Sequence, residues 1–105
     1  MKGYTPLKSY EGLYWINKKG KIKNQNGEII KPFINEDNYL RITLYKNGRK
    51  RNYYIHKLVC QTFHKPIKGK KFVNHIDLNR QNNHYLNLEF VSHKENCNKR
   101  SNNLS

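Results

Sequence analysis

The chain has 105 residues, a length that suits one domain with a modest hydrophobic core. It contains 21 lysine and arginine residues against 7 aspartate and glutamate residues, so its formal net charge is +14. A field of this strength attracts polyanions, of which nucleic acid is the commonest, and the alternative is a solvated basic surface. An anionic membrane fits less well, because neither a basic amphipathic helix nor a long apolar run is present.

The N-terminus and the cysteines indicate the cellular setting. The N-terminus, MKGYTPLKSYEG, lacks the apolar segment of a signal peptide. Two cysteines, Cys60 and Cys97, do not make a disulfide framework. We therefore expect reduced thiols in the cytoplasm.

The first third of the chain predicts short strands separated by turns. Residues 13–16 and 21–23 have strand character and are joined by a Lys-Lys-Gly turn. Asn26-Gly27 indicates a second turn, and Pro32 ends the following run or places it at a sheet edge. Neither repeats nor linkers interrupt the sequence, so residues 1–105 are predicted to form a single domain.

Residues 39–55 predict a β-hairpin, because Asn47-Gly48 is the favoured dipeptide of a two-residue type I′ turn. Folding about this turn gives one mostly apolar, inward face made by three cross-strand pairs: Leu44–Arg51, Ile42–Tyr53 and Leu40–Ile55. The other face carries basic and aromatic side chains in the pairs Tyr45–Lys50, Thr43–Asn52 and Arg41–Tyr54. Such a face suits a phosphate backbone. The alternative is an ordinary solvent-facing sheet.

From Ile55 the apolar residues adopt helical spacing, and Pro66 ends the segment. His56, Cys60 and His64 lie four residues apart on this helix, so a zinc site that includes Cys97 is formally possible. Strong zinc signatures contain closely paired ligands, which are missing here. Cys60 is better interpreted as a small buried hydrophobe, and His56 as structural or as a phosphate contact.

The most informative stretch is FVNHIDLNRQNNHYLNLEFVSHKEN, residues 72–96. Two short apolar segments flank an asparagine-rich turn, and Ser92-x-x-Glu95 is the capping-box pattern that begins a helix. The predicted order is therefore strand, loop, strand and helix, with the helix continuing to about residue 100. This arrangement brings together one histidine and three asparagines: His75, Asn74, Asn87 and Asn96.

The pattern N-H-I-D-x-N-x-x-N-N-x-x-x-N-L-E-F-V-S-x-x-E-N resembles the HNH endonuclease motif, in the phage and intron homing type whose third position is asparagine. The upstream segment I-H-K-L-V-x-x-x-F, residues 55–63, also matches that family. Residues 7–22 are similar to the NUMOD4 module often fused ahead of such nucleases. The resemblance implies an α+β fold, a small mixed domain with antiparallel hairpins and a ββα-metal nuclease motif. Its expected parts are 5–55 (N-terminal, β-rich), 56–100 (nuclease) and 101–105 (a disordered tail).

The resemblance also implies a function: hydrolysis of DNA phosphodiester bonds with a divalent metal, Mg²⁺ or Mn²⁺, by cutting or nicking duplex DNA. His75 takes the role of general base, which suits an imidazole with a pKa near neutrality. Asn74 and Asn96 take the roles of metal ligands. Asn87 is predicted to accept a hydrogen bond from His75 Nδ1 and so leave Nε2 free as the base.

The sequence departs from the family in one respect. Many relatives carry aspartate before the catalytic histidine, whereas this chain has Asn74. Because Mg²⁺ prefers anionic oxygen ligands, the ion either binds only with substrate or the change weakens catalysis. The second possibility supports an alternative function, a non-catalytic DNA-binding module on a degenerate HNH scaffold.

The expected partner is double-stranded DNA, bound by a monomer in a bacterial or phage-infected cell. Relatives of the phage type carry a further C-terminal DNA-reading segment, so we expect low sequence specificity here, or a chain that is a fragment. The residues predicted to contact DNA are basic or aromatic: Arg41, Lys50, Tyr54, Lys57, Lys68, Lys70, Lys71 and Arg80.

Overall fold

A computed structural model describes residues 3–95 of the chain. The described residues form three small antiparallel sheets around one main helix, which confirms the predicted α+β class. The elements in chain order are β1 (Thr5–Pro6), β2 (Tyr14–Ile16), β3 (Ile22–Asn24), β4 (Phe33–Ile34), β5 (Leu40–Lys46), β6 (Arg49–Tyr54), α1 (Ile55–Phe63), β7 (Phe72–His75), a 3-10 turn (Tyr85–Asn87) and β8 (Leu88–Val91). The sheets have the orders β1-β2-β3, β4-β5-β6 and β7-β8.

A further helix begins at His93, as the capping-box pattern predicts. The Glu95 amide donates to Ser92 Oγ at 3.1 Å, and the Ser92 amide donates to Glu95 Oε1 at 3.2 Å. This reciprocal pair satisfies two backbone donors that the helix itself leaves without partners. The predicted continuation to residue 100, Asn96, Cys97 and the predicted tail 101–105 lie outside the described residues.

The β5–β6 hairpin has the predicted register, with Leu44 opposite Arg51 and Ile42 opposite Tyr53. Asn47 and Gly48 both have positive φ, 53° and 74°, as a type I′ turn requires. The predicted pairing of Leu40 with Ile55 is wrong. Strand β6 ends at Tyr54 because Ile55 begins α1, and Leu40 pairs on its other side with Ile34 in β4.

One hydrophobic cluster joins the N-terminal sheet to the nuclease part of the chain. Its buried members are Leu7, Tyr10, Tyr14, Ile16, Ile22, Ile42, Leu44, Ile55, Leu58, Val59, Cys60 and Leu88. Helix α1 contributes four of these and packs against β5, β6, β7 and β8. Because residues from both predicted parts share this cluster, the helix holds the β7–β8 ribbon at a defined position beside the hairpin.

Cys60 is fully buried in this cluster, as predicted. Burial, and then the nearby charge of Glu89, raise the pKa of its thiol to about 12. His64 Nε2 lies 2.6 Å from the Tyr85 carbonyl oxygen, so this nitrogen already has a hydrogen-bond partner. Within residues 3–95 no group of three or more His, Cys, Asp or Glu side chains is arranged to hold a metal ion. The burial of Cys60 and the contact of His64 with Tyr85 favour the structural interpretation of these two residues.

The buried face of the hairpin can be tested by paired alanine substitutions. Ile42 is 1% exposed, so Ile42→Ala should lower the free energy of unfolding by about 2–5 kcal/mol through loss of burial and a residual cavity. Tyr45 on the opposite face is 58% exposed, so Tyr45→Ala should change stability by about 0.5 kcal/mol or less. Urea denaturation measures both. A larger loss of stability for Tyr45→Ala than for Ile42→Ala would mean that the two faces of the hairpin are assigned the wrong way round.

Candidate active site

The β7–β8 ribbon positions the two residues at the centre of the motif. Asn74 pairs with Glu89, and the next residue, His75, pairs with Leu88. Successive residues of a strand project to opposite faces, so Asn74 and His75 leave the ribbon on different sides. The His75 side chain is only 5% exposed, whereas Asn74 is half-buried.

The loop between these strands is held by reciprocal bonds between Asp77 and Asn87. Asn87 Oδ1 accepts from the Asp77 amide at 3.0 Å, and Asn87 Nδ2 donates to Asp77 Oδ1 at 2.9 Å. The Asp77 carboxylate also accepts from Asn82 Nδ2 and from the Asn79 amide, both at 2.8 Å. These bonds, led by the one from Asn82, lower the pKa of Asp77. Much of the asparagine-rich run is therefore turn chemistry.

The predicted hydrogen bond from His75 to Asn87 does not form, and Asn83 takes that place. Asn83 Oδ1 lies 2.8 Å from His75 Nε2. Asn87 cannot reach, because its carbonyl accepts from the Ile76 amide at 2.8 Å and its side chain is directed into the loop towards Asp77. An amide oxygen only accepts, so His75 Nε2 carries the proton and Nδ1 keeps the lone pair. In this tautomer Nδ1 is the ring nitrogen that can accept a proton, whereas the sequence-based prediction gives that role to Nε2.

Two rings pack against His75 and a third packs behind them, in a cluster that sequence reasoning missed. The His56 ring lies 4.9 Å from the His75 ring, and Tyr39 lies 4.8 Å from His56 and 5.8 Å from His75, all between centroids. Tyr54 packs on His56 at 5.2 Å. His56 is 4% exposed, and within residues 3–95 its Nδ1 has no hydrogen-bond partner. It is therefore structural, since so deeply buried a ring cannot be an exposed phosphate contact.

Burial controls the charge of both histidines. Burial, and then the neighbouring His75, lower the pKa of His56 to about 3. Burial also lowers the pKa of His75, while the hydrogen bond to Asn83 and the charge of Asp77 oppose this shift. Both rings are therefore neutral at physiological pH, and His75 can accept a proton there.

The Asp37 loop, between β4 and β5, ties this ring cluster to the hairpin. Arg41 Nη2 lies 2.5 Å from Asp37 Oδ2 and donates to Tyr54 Oη at 2.6 Å. Arg80 Nη1 donates to the Asp37 carbonyl at 2.9 Å, and its guanidinium lies 4.9 Å from the centre of the Tyr39 ring. Tyr54 Oη also donates to Asp37 Oδ2 at 3.3 Å. Two of the residues predicted to contact DNA, Arg41 and Tyr54, are thus hydrogen-bonded to each other and to Asp37.

The remaining predicted DNA contacts are mostly exposed cations. Lys57 lies 5.1 Å from the centre of the Tyr54 ring. Lys70 forms an ion pair with Glu95 at 3.0 Å, so part of its charge is already balanced. The solvent-exposed members of the set are Lys50, Lys57, Lys68, Lys71 and Arg80.

Asn74, the residue before His75 in the chain, and its cross-strand partner Glu89 supply oxygen donors suited to a divalent cation. Asn74 Nδ2 donates to Glu89 Oε2 at 2.9 Å, which places an amide and a carboxylate side by side. Mg²⁺ and Mn²⁺ prefer such oxygen ligands, so this donor set fits the implied metal. Asn96, the other ligand that the resemblance implies, lies outside the described residues.

Comparison with known proteins agrees with this geometry. Residues 53–98 match the family model for HNH endonucleases, and residues 4–45 match the NUMOD4 motif. Residues 53–98 thus carry the motif of the HNH endonuclease family. The HNH match contains His75, Asn83 and the whole β7–β8 ribbon.

Among HNH relatives, the DNA endonuclease I-HmuI of Bacillus phage SP01 is 34% identical over 94 residues, which are 89% of this chain and 54% of that protein. The prophage-derived protein YosQ of Bacillus subtilis is 41% identical over 91 residues, 82% of this chain and 51% of YosQ. A solved structure on DNA binding and cleavage by the homing endonuclease I-HmuI superimposes with a TM-score of 0.86 and 31% identity, covering 95% of this chain and 58% of that one. The chain thus spans about half the length of these relatives.

The buried neutral state of His56 predicts a loss of stability in acid. Its pKa is lowered from 6.5 to about 3, so between these values the unfolded chain binds a proton that the folded chain does not. Stability from this residue is complete above the unfolded pKa and falls as the pH drops. From pH 7 to pH 5 the loss should be about 2 kcal/mol, and His56→Phe should remove it. Denaturant titrations at both pH values compare the two proteins. Parallel pH curves would contradict a buried, neutral His56.

Proposed function

We propose that this chain is a metal-dependent DNA endonuclease that hydrolyses a phosphodiester bond with His75 as the general base. The observation that carries the proposal is the buried His75 ring, whose Nε2 is held by Asn83 Oδ1 at 2.8 Å and whose Nδ1 keeps its lone pair. This ring lies within the segment that matches the HNH endonuclease model.

The residues of the chain supply the base chemistry. His75 is neutral at physiological pH because burial lowers its pKa, so Nδ1 is available to accept a proton from an attacking water. Asn83 Oδ1 accepts from Nε2–H, which holds the ring in one orientation and stabilises the imidazolium that forms. Asn74 and Asn96 are the proposed ligands for Mg²⁺ or Mn²⁺. When bound, the ion stabilises negative charge on the phosphate and on the leaving oxygen.

Charge and exposure support duplex DNA as the substrate. The net charge of +14 attracts a polyanion. Exposed lysines lie in the hairpin (Lys50), directly after it (Lys57) and directly before the ribbon (Lys68 and Lys71). We further propose a monomer that nicks or cuts DNA in a bacterial or phage-infected cell, the setting of I-HmuI and YosQ. Within residues 3–95 no helix has the length and apolar character to cross a membrane.

A second candidate function rests on Asn74. A neutral residue at this position holds a divalent cation more weakly than aspartate would. A chain that binds DNA through the same basic surface without cleaving it is therefore the rival proposal, and cleavage assays separate the two.

The catalytic role of His75 is tested by conversion of supercoiled plasmid in Mg²⁺ or Mn²⁺. His75→Ala should cleave at least about 100-fold more slowly, because removal of a general base typically costs two to four orders of magnitude. Its affinity for DNA should hardly change, since phosphate contacts made elsewhere dominate binding. Equal cleavage by both proteins would exclude His75 as the base, and no cleavage by either would favour the DNA-binding module.

The DNA surface is tested by the salt dependence of binding. A protein that neutralises about six phosphates should lose roughly a thousandfold in affinity between 50 and 200 mM salt. Lys50→Ala and Lys71→Ala remove exposed charges, so each should flatten the slope by about one unit, equally for every duplex tested. Arg41→Ala should flatten it less, because Asp37 already balances that guanidinium. Fluorescence anisotropy gives the slopes, and a larger effect at Arg41 than at the lysines would contradict this surface.

A further inference from the structure

Asn74, the neutral residue before His75, has Glu89 as its cross-strand partner. These residues are direct partners in the β7–β8 ladder and share one face of the ribbon. Asn74 Nδ2 donates to Glu89 Oε2 at 2.9 Å, and both side chains are half-buried. A carboxylate therefore lies against the one position where the family resemblance leads us to expect an acidic metal ligand.

The hydrogen bond sets the orientation of the Asn74 amide. An ionised carboxylate only accepts hydrogen bonds, so the NH₂ group of Asn74 must face Glu89. The amide is planar, with oxygen and nitrogen on opposite sides, so Oδ1 is directed away from Glu89. Oδ1 is also the only atom of this side chain that ligates a hard cation. Glu89 thus holds that oxygen in a single orientation, on the side of the amide opposite to the carboxylate.

The same contact alters the charge of the site. A divalent cation approaching this chain meets a net charge of +14, and Asn74 alone offers it no negative charge. Glu89 places one within hydrogen-bond distance of the ligand and polarises its amide. Carboxylates that hydrogen-bond to metal ligands in this way orient those ligands and strengthen binding.

We propose that Glu89 is a positioning residue for the divalent cation and that it acts through Asn74. Together the two residues supply the oxygen ligand and the negative charge that a single aspartate would supply. The inference rests on the proposed function, because it assumes that Asn74 is a ligand. It makes the neutral residue at position 74 compatible with a working metal site. The competing interpretation is a cross-strand hydrogen bond that only stabilises the ribbon.

Binding of Mn²⁺ to the full chain in complex with a short DNA duplex tests the proposal. Electron paramagnetic resonance measures free Mn²⁺ during the titration, the duplex alone provides the blank, and a His75→Ala background prevents turnover. Glu89→Gln should weaken Mn²⁺ binding by about 10- to 100-fold, the usual effect of losing a group that supports a metal ligand. Glu11→Gln, which removes an exposed carboxylate from the N-terminal part, should leave Mn²⁺ binding unchanged.

The decisive comparison repeats Glu89→Gln in an Asn74→Asp background. There the ligand carries its own charge, so loss of the Glu89 charge should not weaken Mn²⁺ binding and should remove a repulsion between two carboxylates. A structural role predicts instead the same loss in both backgrounds. Thermal melts of the four proteins show whether each one folds.

Three outcomes would overturn the proposal. Unchanged Mn²⁺ affinity after Glu89→Gln overturns it alone and leaves the endonuclease function intact. Equal weakening in both backgrounds shows that the hydrogen bond serves the fold. If no Mn²⁺ binds above the duplex blank even with Asn74 and Glu89 in place, the proposed metal dependence fails as well.

Discussion

The packing of helix α1 is the constraint on which the rest of the structure depends. Its apolar stripe enters the core shared by the N-terminal sheet, the hairpin and the β7–β8 ribbon. The same helix starts directly after β6, so its first turn carries His56 to the side of His75. Hydrophobic burial is non-directional, but a helix packed on several sheets at once has little freedom to rotate. The precision of the site therefore follows from the core.

An uncharged hydrogen bond and ring packing hold His75 in place. Asn83 holds the ring by an uncharged hydrogen bond, and His56, which is neutral at physiological pH, packs beside it together with the Tyr39 ring. A carboxylate partner would raise the pKa of the ring and keep it protonated. An amide partner orients the ring while burial lowers its pKa, so the base is ready near neutrality.

Local patterns predicted much of the fold. Asn47-Gly48 predicted the hairpin and its register because a type I′ turn allows few alternatives, and Ser92-x-x-Glu95 predicted the start of a helix for the same reason. The site was predicted in part: the sequence indicated His75 and its neighbour Asn74, but it indicated the wrong asparagine for the ring.

That error has a physical cause. Asn82, Asn83 and Asn87 are chemically equivalent, and only the path of the loop decides which of them faces the histidine. The bonds of Asn87 to Asp77 direct that side chain into the loop, and the loop then brings Asn83 to the ring. The cluster of Tyr39 and His56 was missed because it joins residues far apart in the chain, and no local period encodes such a contact.

Gly20 has a consequence for how this architecture can be recombined. It lies in the turn between β2 and β3 at φ +86°, and a Cβ there would stand 3.0 Å from Ile55 Cγ2 and 3.3 Å from Asn83 Cβ. The turn of the N-terminal module thus presses against the side chain that holds His75 Nε2. The module and the nuclease motif are separate sequence families. Gly20 of the module, which has no side chain, nevertheless packs closely against Asn83 of the nuclease motif. A chimera that joins modules from two relatives must keep a glycine at this turn, or the graft displaces the partner of the catalytic ring.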